Sequence, residues 1–414
     1  MIAIAQTQQE VRRAESLEFL LGDQEQIDPA SFFRGSIESV LGPAVYARSI
    51  LSSEHVRIRM REAAALARVP AHDWVAFEQA KQLLDVPENR MIQMIEHGLL
   101  VTREPAVGRC RSKVHEALGS LDDCFDARSV AFHRGSRWSG NMMGLEITPT
   151  SDEDVLASLS GDSPLSQAYG PAPAAFYARE DAISTFSLPE PCGAGFLEAL
   201  QRDRKTVRHF DEAVPVSVDD LSHILYYTFG CHGLQQVNDG PTLLKKFVPS
   251  GGALHPTEAY PLILRVDGLS PGVYHYGVER HELELLHELP EAEMTDLVLR
   301  GTCGQHWYTS AAYCIAMTVR LDRVFWKYRR NRKAYRAAIL DVGHISQAHY
   351  LQCQNRNLGA FVTGALNDDV FEECLRIDGV RQVPIAVCGG GVPLKRGFDF
   401  TFKYKKFRPG QSQG

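Results

Sequence analysis

The chain has 414 residues, of which 44% are hydrophobic and 23% charged, with a formal net charge of −7 at pH 7. That length exceeds the ~100–200 residues over which one core usually closes, so an ordinary soluble globular protein of two or three units is expected. The acidic balance argues against a nucleic-acid partner, a local basic patch aside, and no apolar run nears the ~20 residues needed to cross a bilayer.

The N-terminal MIAIAQTQQEVRRAES lacks the basic-then-apolar order of a secretory signal. Nine cysteines without a CxxC form neither a disulfide framework nor a zinc site. A reduced cytoplasm is therefore the expected location, and no metal site is expected.

Up to about residue 60 helix and strand signals mix. From His72 they sharpen: Trp74-Val-Ala-Phe77, Ala80, Leu83 and Leu84 precede a break at Asp85-Val-Pro87, followed by Met91, Ile92, Met94 and Ile95. These spacings predict two amphipathic helices joined by a short turn, with Gly98 as a C-terminal cap and Leu99-Leu-Val101 starting an extended segment. The pattern near 72–102 looks like a winged helix-turn-helix. It suits a platform for a partner or substrate peptide, and equally a packed helical pair without a ligand. Reading of DNA ranks third, because the second helix carries as much acid as base (Glu88, Arg90, Glu96).

Residues 1–149 are thus read as an N-terminal region. Residues 150–192, rich in Ser, Ala, Pro, Asp and Gly, form a linker or arm, and 193–414 a better organised domain. There a helix is expected from about Gly195 to Arg204, with Phe196, Leu197 and Leu200 on one face. Ser217 and Asp220 cap a second, with Leu221, Ile224, Leu225 and Thr228 facing inward before Gly230. Tyr260–Val266 and Tyr313–Val319 read as strands, and Val273–Tyr276 with Leu283–Leu286 as a hairpin. A long helix covers about 332–355 (core candidates Tyr335, Ile339, Val342, Ile345, Ala348). Strands at Gly359–Leu366 and Pro384–Cys388 enclose a helix at Asp368–Leu375. Helices and strands mix without βαβ alternation, so α+β is favoured over a doubly wound sheet.

Two segments carry chemistry. Arg204-Lys205-Thr206-Val207-Arg208 gathers three cations and a hydroxyl that can grip a phosphate, although such clusters are often solvated surface. Pro249-Ser250-Gly251-Gly252 is a turn whose glycines let backbone approach a ligand, or simply join two strands. Neither a Rossmann fingerprint nor a P-loop is present.

In order, Arg204-Lys-Thr-Val-Arg208, the capped helix ending at Gly230, Pro249-Ser-Gly-Gly-Ala-Leu-His-Pro-Thr-Glu258 and Gly268-Leu-Ser-Pro-Gly-Val-Tyr-His-Tyr276 resemble the SagB/ThcOx-type branch of the nitroreductase superfamily. The likeness spans roughly 195–395 and continues through Phe325-Trp-Lys327-Tyr328 and Leu340-Asp-Val-Gly-His344. It implies a nitroreductase-like FMN domain and oxidation of azoline rings to azoles in ribosomally made peptides. Arg204, Lys205, Thr206 and Arg208 match the motif that holds flavin phosphate, ribityl chain and pyrimidine edge. Pro249, Ser250 and Gly251 match the turn against the isoalloxazine, and Thr363 and Gly364 the strand end near flavin N5. Gly389, Gly390 and Lys395 fall near the last phosphate-side segment. The resemblance further implies a homodimer with the FMN site at its interface.

Lys327 and Tyr328 match the branch's catalytic pair. Aromatisation removes a proton from carbon while a hydride equivalent goes to flavin N5, and a lysine or tyrosine beside the ring can take that proton, with oxygen reoxidising the flavin. Neighbours on a helix point ~100° apart, so both serve one substrate only if the backbone leaves the helix there. The competing interpretation is a surface pair within the basic run Arg323 to Arg336, which is either solvated or attracts an acidic leader peptide. His255 and His344 read as structural, Cys388 as a buried inert thiol, and His133 in Phe132-His-Arg-Gly-Ser-Arg-Trp138 has no assigned role. Three functions are weighed: a peptide dehydrogenase acting on azolines or forming another Cα–Cβ unsaturation, with a partner maturation enzyme as a candidate partner; an NAD(P)H-dependent nitro or quinone reductase; and a flavin-free peptide-binding scaffold.

Overall fold

The computed structural model describes residues 10–14, 17–27, 39–49 and 56–103, short pieces between 129 and 189, and residues 195–394 except 239, 330 and 332. In the N-terminal part, β1 (Glu10–Arg13) precedes the antiparallel sheet of β2 (Leu17–Ile27), β3 (Ser39–Ser49) and β4 (Val56–Ile58). Then come α1 (Met60–Leu66), β5 (Val75–Ala76), α2 (Phe77–Leu84), α3 (Glu88–Glu96) and β6 (Leu100–Thr102), with β1 central in the order β5-β1-β6. Leu66, Ala80, Met91, Met94 and Leu99 close a small core over Val11.

The first of the two expected helices starts later than its apolar spacing suggests. Val75 pairs with Val11 and Ala76 with Glu10, so the free edge of β1 takes these residues into a sheet and leaves the helix to begin at Phe77. Trp74 lies under the Arg12 guanidinium, 4.8 Å from its centroid. Gly98 adopts the left-handed region (φ 71°) just past α3, and Leu99 N donates to Met94 O at 2.8 Å, which satisfies a carbonyl that the helix end would leave open.

The C-terminal part opens with α4 (Phe196–Asp203) and α5 (Val218–Phe229). Ser217 Oγ accepts from Asp220 N at 3.1 Å, and Leu221, Ile224, Leu225 and Thr228 are buried as their spacing predicts. A two-stranded hairpin follows, β7 (Cys231–Gln236) and β8 (Thr242–Lys246), which the sequence did not announce. The remaining elements are β9 (Thr257–Ile263), β10 (Gly272–Gly277), β11 (Glu282–Glu288), α6 (Glu291–Gly301), β12 (Tyr313–Arg320), α7 (Leu321–Tyr328), α8 (Lys333–Asn355), β13 (Gly359–Thr363), α9 (Asp368–Leu375) and β14 (Gln382–Gly391).

Six strands form one sheet in the order β11-β10-β9-β12-β14-β13, every neighbouring pair antiparallel, in an α+β architecture. β12 shows why its sequence is apolar throughout. Tyr313, Ile315, Met317 and Val319 meet α5, α7 and α8 on one face, while Cys314 and Ala316 meet α6 and α9 on the other. Helices cover both faces, so the usual polar alternation of an antiparallel strand is absent.

On α8 the core register is Ala334, Tyr335, Ala338, Val342 and Ile345. Ile339 was expected to join it and does not. It is 42% exposed, because a residue one step from Ala338 turns ~100° away from the sheet.

A piece of the upstream chain is tied to this domain. His133 Nδ1 is 2.5 Å from Tyr335 Oη on α8, and the Arg137 side chain, 8% exposed, lies among acids of α9. Its guanidinium is 2.6 Å from Glu372 Oε1, 2.9 Å from Asp369 Oδ1 and 3.8 Å from Asp368 Oδ1. Removing it takes a buried cation away from two buried carboxylates. Arg137→Ala should therefore lower the unfolding free energy by roughly 3 kcal/mol or more, the scale for breaking a buried ion pair. Urea midpoints of the two proteins check this, and a difference below ~1 kcal/mol would mean that the contacts hold nothing.

Candidate active site

The turn after β8 is built from residues that tolerate unusual backbone. Gly252 (φ 65°), Ala253 (φ 56°) and His255 (φ 47°) all lie in the left-handed region. Two of these are not glycine, so the turn must be held from outside. Asp341, buried on α8, does this. Ser250 Oγ donates to its Oδ2 at 2.5 Å, and Gly251 N donates to its Oδ1 at 2.9 Å. Ser250 Oγ also accepts from His255 N at 2.9 Å. One carboxylate and one hydroxyl thereby fix both ends of the turn.

Helix α7 grips the same turn from the other side. Arg323 Nε donates to Leu254 O at 2.6 Å, and Lys327 Nζ donates to Gly252 O at 2.9 Å. Residues four apart share a helix face, so the spacing of the two cations matches two carbonyls two residues apart. A Cβ placed on Gly252 would lie 2.5 Å from Tyr328 Oη and 2.7 Å from Lys327 Nζ. Both heteroatoms thus converge on the bare face of one glycine, within about 5 Å of each other. The Lys327 ammonium also sits 5.9 Å from the Tyr328 ring centroid.

The pair converges without the backbone break that helix geometry seemed to demand. Both residues belong to the last turn of α7, and the chain leaves the helix at Arg329 (φ 50°). Long side chains and an absent Cβ do the work instead.

The Arg204–Arg208 segment runs beside β13. Thr206 bridges Ala360, Val207 N donates to Ala360 O at 2.9 Å, and Val207 is buried against the hydrogen face of Gly359. Thr206 Oγ1 lies 2.9 Å from Tyr350 Oη, and the Arg204 guanidinium sits 5.1 Å from the Tyr350 ring centroid. Lys205 is exposed, Arg208 half-buried.

Farther along the same strand Thr363 is buried, with its Oγ1 donating to Gln305 Oε1 at 3.2 Å and accepting from Ala365 N at 3.1 Å. Gly364 beside it is exposed, and a Cβ there would meet open space. The Arg204–Arg208 segment and Thr363–Gly364 thus share one strand edge.

Gly389 and Gly390 sit in β14 between β12 and β13. A Cβ on Gly390 would come within 2.7 Å of Tyr313 Oη, and one on Gly389 within 2.6 Å of both Phe361 and Tyr313 O. Packing alone accounts for glycine at both. Lys395 lies outside the described residues.

These groups form two sets on one helix. Asp341 holds the Pro249–Gly252 turn, Tyr350 holds Thr206, and nine residues separate the two. That spacing is about 13 Å of helix and roughly half a turn of rotation, so the sets lie against different faces of α8. Asp341, Arg323 and Tyr350 went unassigned in the sequence. Only the i, i+4 spacing of Arg323 and Lys327 hinted at a shared task, and the one acid inside Ala337-Ala-Ile-Leu-Asp-Val342 hinted at a buried partner. Among the described residues no cluster of His, Cys, Asp and Glu could hold a metal ion, and no helix is long and apolar enough to cross a membrane.

The chemistry present suits a phosphorylated, flat cofactor. Three cations and a hydroxyl along residues 204–208 match a phosphate, and the open face of Gly364 allows a ring system close to backbone.

Known proteins resemble the chain as follows. The nitroreductase family model matches residues 202–391. The chain is 24% identical over 324 residues to the trifolitoxin-processing protein TfxB of Rhizobium leguminosarum bv. trifolii, a match covering 74% of this chain and 82% of that protein. It is 29% identical over 187 residues to a Methanocaldococcus jannaschii protein that carries the name nitroreductase, covering 44% and 84%. Among solved structures, a chain of the E. coli microcin synthetase McbBCD complex with truncated pro-MccB17 aligns at 16% identity and a TM-score of 0.43, covering 70% of this chain and 98% of that one.

Two outcomes follow from the turn. Asp341→Asn keeps one acceptor and loses the other, so stability should fall by about 1–3 kcal/mol, the cost of an unmet buried hydrogen bond; an unchanged urea midpoint would show that the turn stands without the carboxylate. Burial, reinforced by the nearby Lys246 charge, pushes the His255 imidazole down to about 4. An unfolded histidine protonates near ~6.5, so His255 contributes stability above that pH that is lost as the pH falls toward its folded value. In His255→Gln the dependence of thermal stability on pH over this window should be shallower than in the parent, and equal slopes would refute the assignment.

Proposed function

We propose that the chain, whose residues 202–391 match the nitroreductase family model, is an FMN-dependent dehydrogenase that oxidises a modified ribosomal peptide, an azoline to an azole or a similar unsaturation. The observation that carries this reading is the convergence of Lys327 and Tyr328 on Gly252. The relative named for trifolitoxin processing supports a peptide substrate.

In this reading Arg204, Lys205, Thr206 and Arg208 hold the FMN phosphate and sugar chain, and Pro249, Ser250, Gly251, Thr363 and Gly364 border the ring. Bound FMN supplies the hydride acceptor. The protein's own part is to place the peptide and to move a proton. An ammonium has no lone pair and Lys327 already donates to Gly252 O, so the base in this reading is Tyr328 as its phenolate, which takes the carbon-bound proton at Oη after the phenol proton has passed to solvent. Lys327 holds its positive charge within about 5 Å of that oxygen, where negative charge would otherwise be unopposed.

The partners follow from the same arrangement. The two sets on different faces of α8 support a homodimer in which each cofactor site draws one set from each copy. The open hydrogen face of Gly343 on α8 fits close approach of a second helix. The helix pair within 72–102 is the part suited to holding the rest of the peptide, and a partner maturation enzyme would supply the modified substrate.

The first test is the visible spectrum of the purified protein, with identification of the chromophore released on denaturation. FMN is the expected result, and a colourless protein that takes up no added FMN would end this reading in favour of a flavin-free scaffold. Tyr328→Phe and Lys327→Ala should keep flavin while peptide oxidation falls by about 10²-fold or more, the usual worth of a positioned acid–base group. Flavin loss in either variant would make that residue structural. Arg204→Ala should weaken FMN retention, and undiminished occupancy would remove its phosphate role. Efficient NADPH-driven reduction of nitro compounds without peptide oxidation would favour the small-molecule reductase instead.

A further inference from the structure

Between Asp322 and Asp341 the chain carries seven cations and not one acid. Two of them are used internally, Arg323 on Leu254 O and Lys327 on Gly252 O. Arg329, Lys333 and Arg336 are exposed, and among the described residues none of the three takes part in an ion pair. Arg330 and Arg332 lie outside the described residues. Arg329 directly follows Tyr328 at the end of α7 and Lys333 opens α8 five residues on, a reach of at most ~18 Å from Tyr328. Apolar side chains stand open beside them: Trp326 is 50% exposed and Leu340 59%.

We propose that this corner is a docking surface for an acidic, leucine-like stretch of the peptide substrate, which it steers toward Gly252. The inference rests on the peptide-oxidation reading and names how that substrate is recognised. Unpaired cations of one sign on a chain of net charge −7 form a local field opposed to the rest of the surface, and such a field selects an anionic partner and raises its encounter rate. A second copy docked corner to corner would set cation against cation. A long polyanion would meet the repulsion of the acidic remainder, whereas a short acidic segment would not. Trp326 and Leu340 give such a segment's apolar residues something to cover.

The test measures binding without turnover. A fluorescein-labelled peptide rich in glutamate and leucine, and its counterpart with glutamine for each glutamate, are titrated with the FMN-loaded protein and followed by anisotropy at low and high salt. The glutamate peptide should bind the parent more tightly than the glutamine peptide, and weaken as salt rises. Lys333→Glu/Arg336→Glu should weaken it by about tenfold or more, with Lys333→Gln/Arg336→Gln between the two, since each exposed charge contact is worth up to ~1 kcal/mol. Equal binding of the two peptides, or equal binding by parent and variants, overturns the proposal and leaves a solvated face. A change of oligomeric state by light scattering in the glutamate variant, or tighter binding of single-stranded DNA through the same cations, overturns it in favour of another occupant. Binding as described with no peptide oxidised would refute the oxidation reading while leaving the docking surface in place.

Discussion

A carboxylate in the middle of a long helix accepts one hydrogen bond from a hydroxyl and another from a backbone amide of the turn packed against it. Asp341 is that carboxylate, and the Ser250–Gly252 turn depends on it. Burying a charge is expensive unless its lone pairs are met, so the turn stabilises the helix as much as the helix stabilises the turn. Everything near the proposed chemistry inherits this position. With Ser250 and Gly251 fixed, the Gly252 carbonyl faces α7, Lys327 finds its acceptor, and Tyr328 is brought to the same glycine face. The left-handed Ala253 and His255 are tolerated because the anchors at both ends leave them no alternative.

The large sheet makes that anchor rigid. β12 is central and covered on both faces, so α7 and α8 pack on a surface that neither slides nor opens to water. Arg323 and Lys327 share a face of α7 whose opposite side, Val324 and Phe325, is sunk in the core. The groups proposed to react therefore ride on a helix while the backbone they meet is a turn, and the two are locked by side-chain-to-backbone bonds. A site built this way can hold a proton acceptor to within a hydrogen bond's tolerance.

Much of this was legible in the chain because it follows period and capping. The helix after Ser217, the hairpin of β10 and β11, the buried β12 and the long α8 all carry repeating apolar patterns. Ile339 misled because a helix that is apolar on several sides has no unique inward face in the sequence. Val75 and Ala76 misled because pairing with β1 is a long-range contact that local periodicity cannot see. The β7–β8 hairpin gave no signal, since its residues are largely exposed and nothing forces alternation. At the candidate site the cations, glycines and the Lys-Tyr pair stood out by type. What could not be read was the partner of each, because Asp341 meets Ser250 across 91 residues and Thr206 meets Tyr350 across 144.

The two sets of candidate cofactor residues stand against different faces of α8. One set lies along β13 and against Tyr350; the other lies over Asp341, half a turn around the same helix and about 13 Å away. In the proposed homodimer a two-fold axis would set the first face of one α8 opposite the second face of the other and complete two equivalent sites at once. The same symmetry would leave the cationic corner after α7 outside, at the rim of each site, where a peptide can approach. The bare face of Gly343 would then have a reason to be on α8, as part of the helix that a second copy would cover.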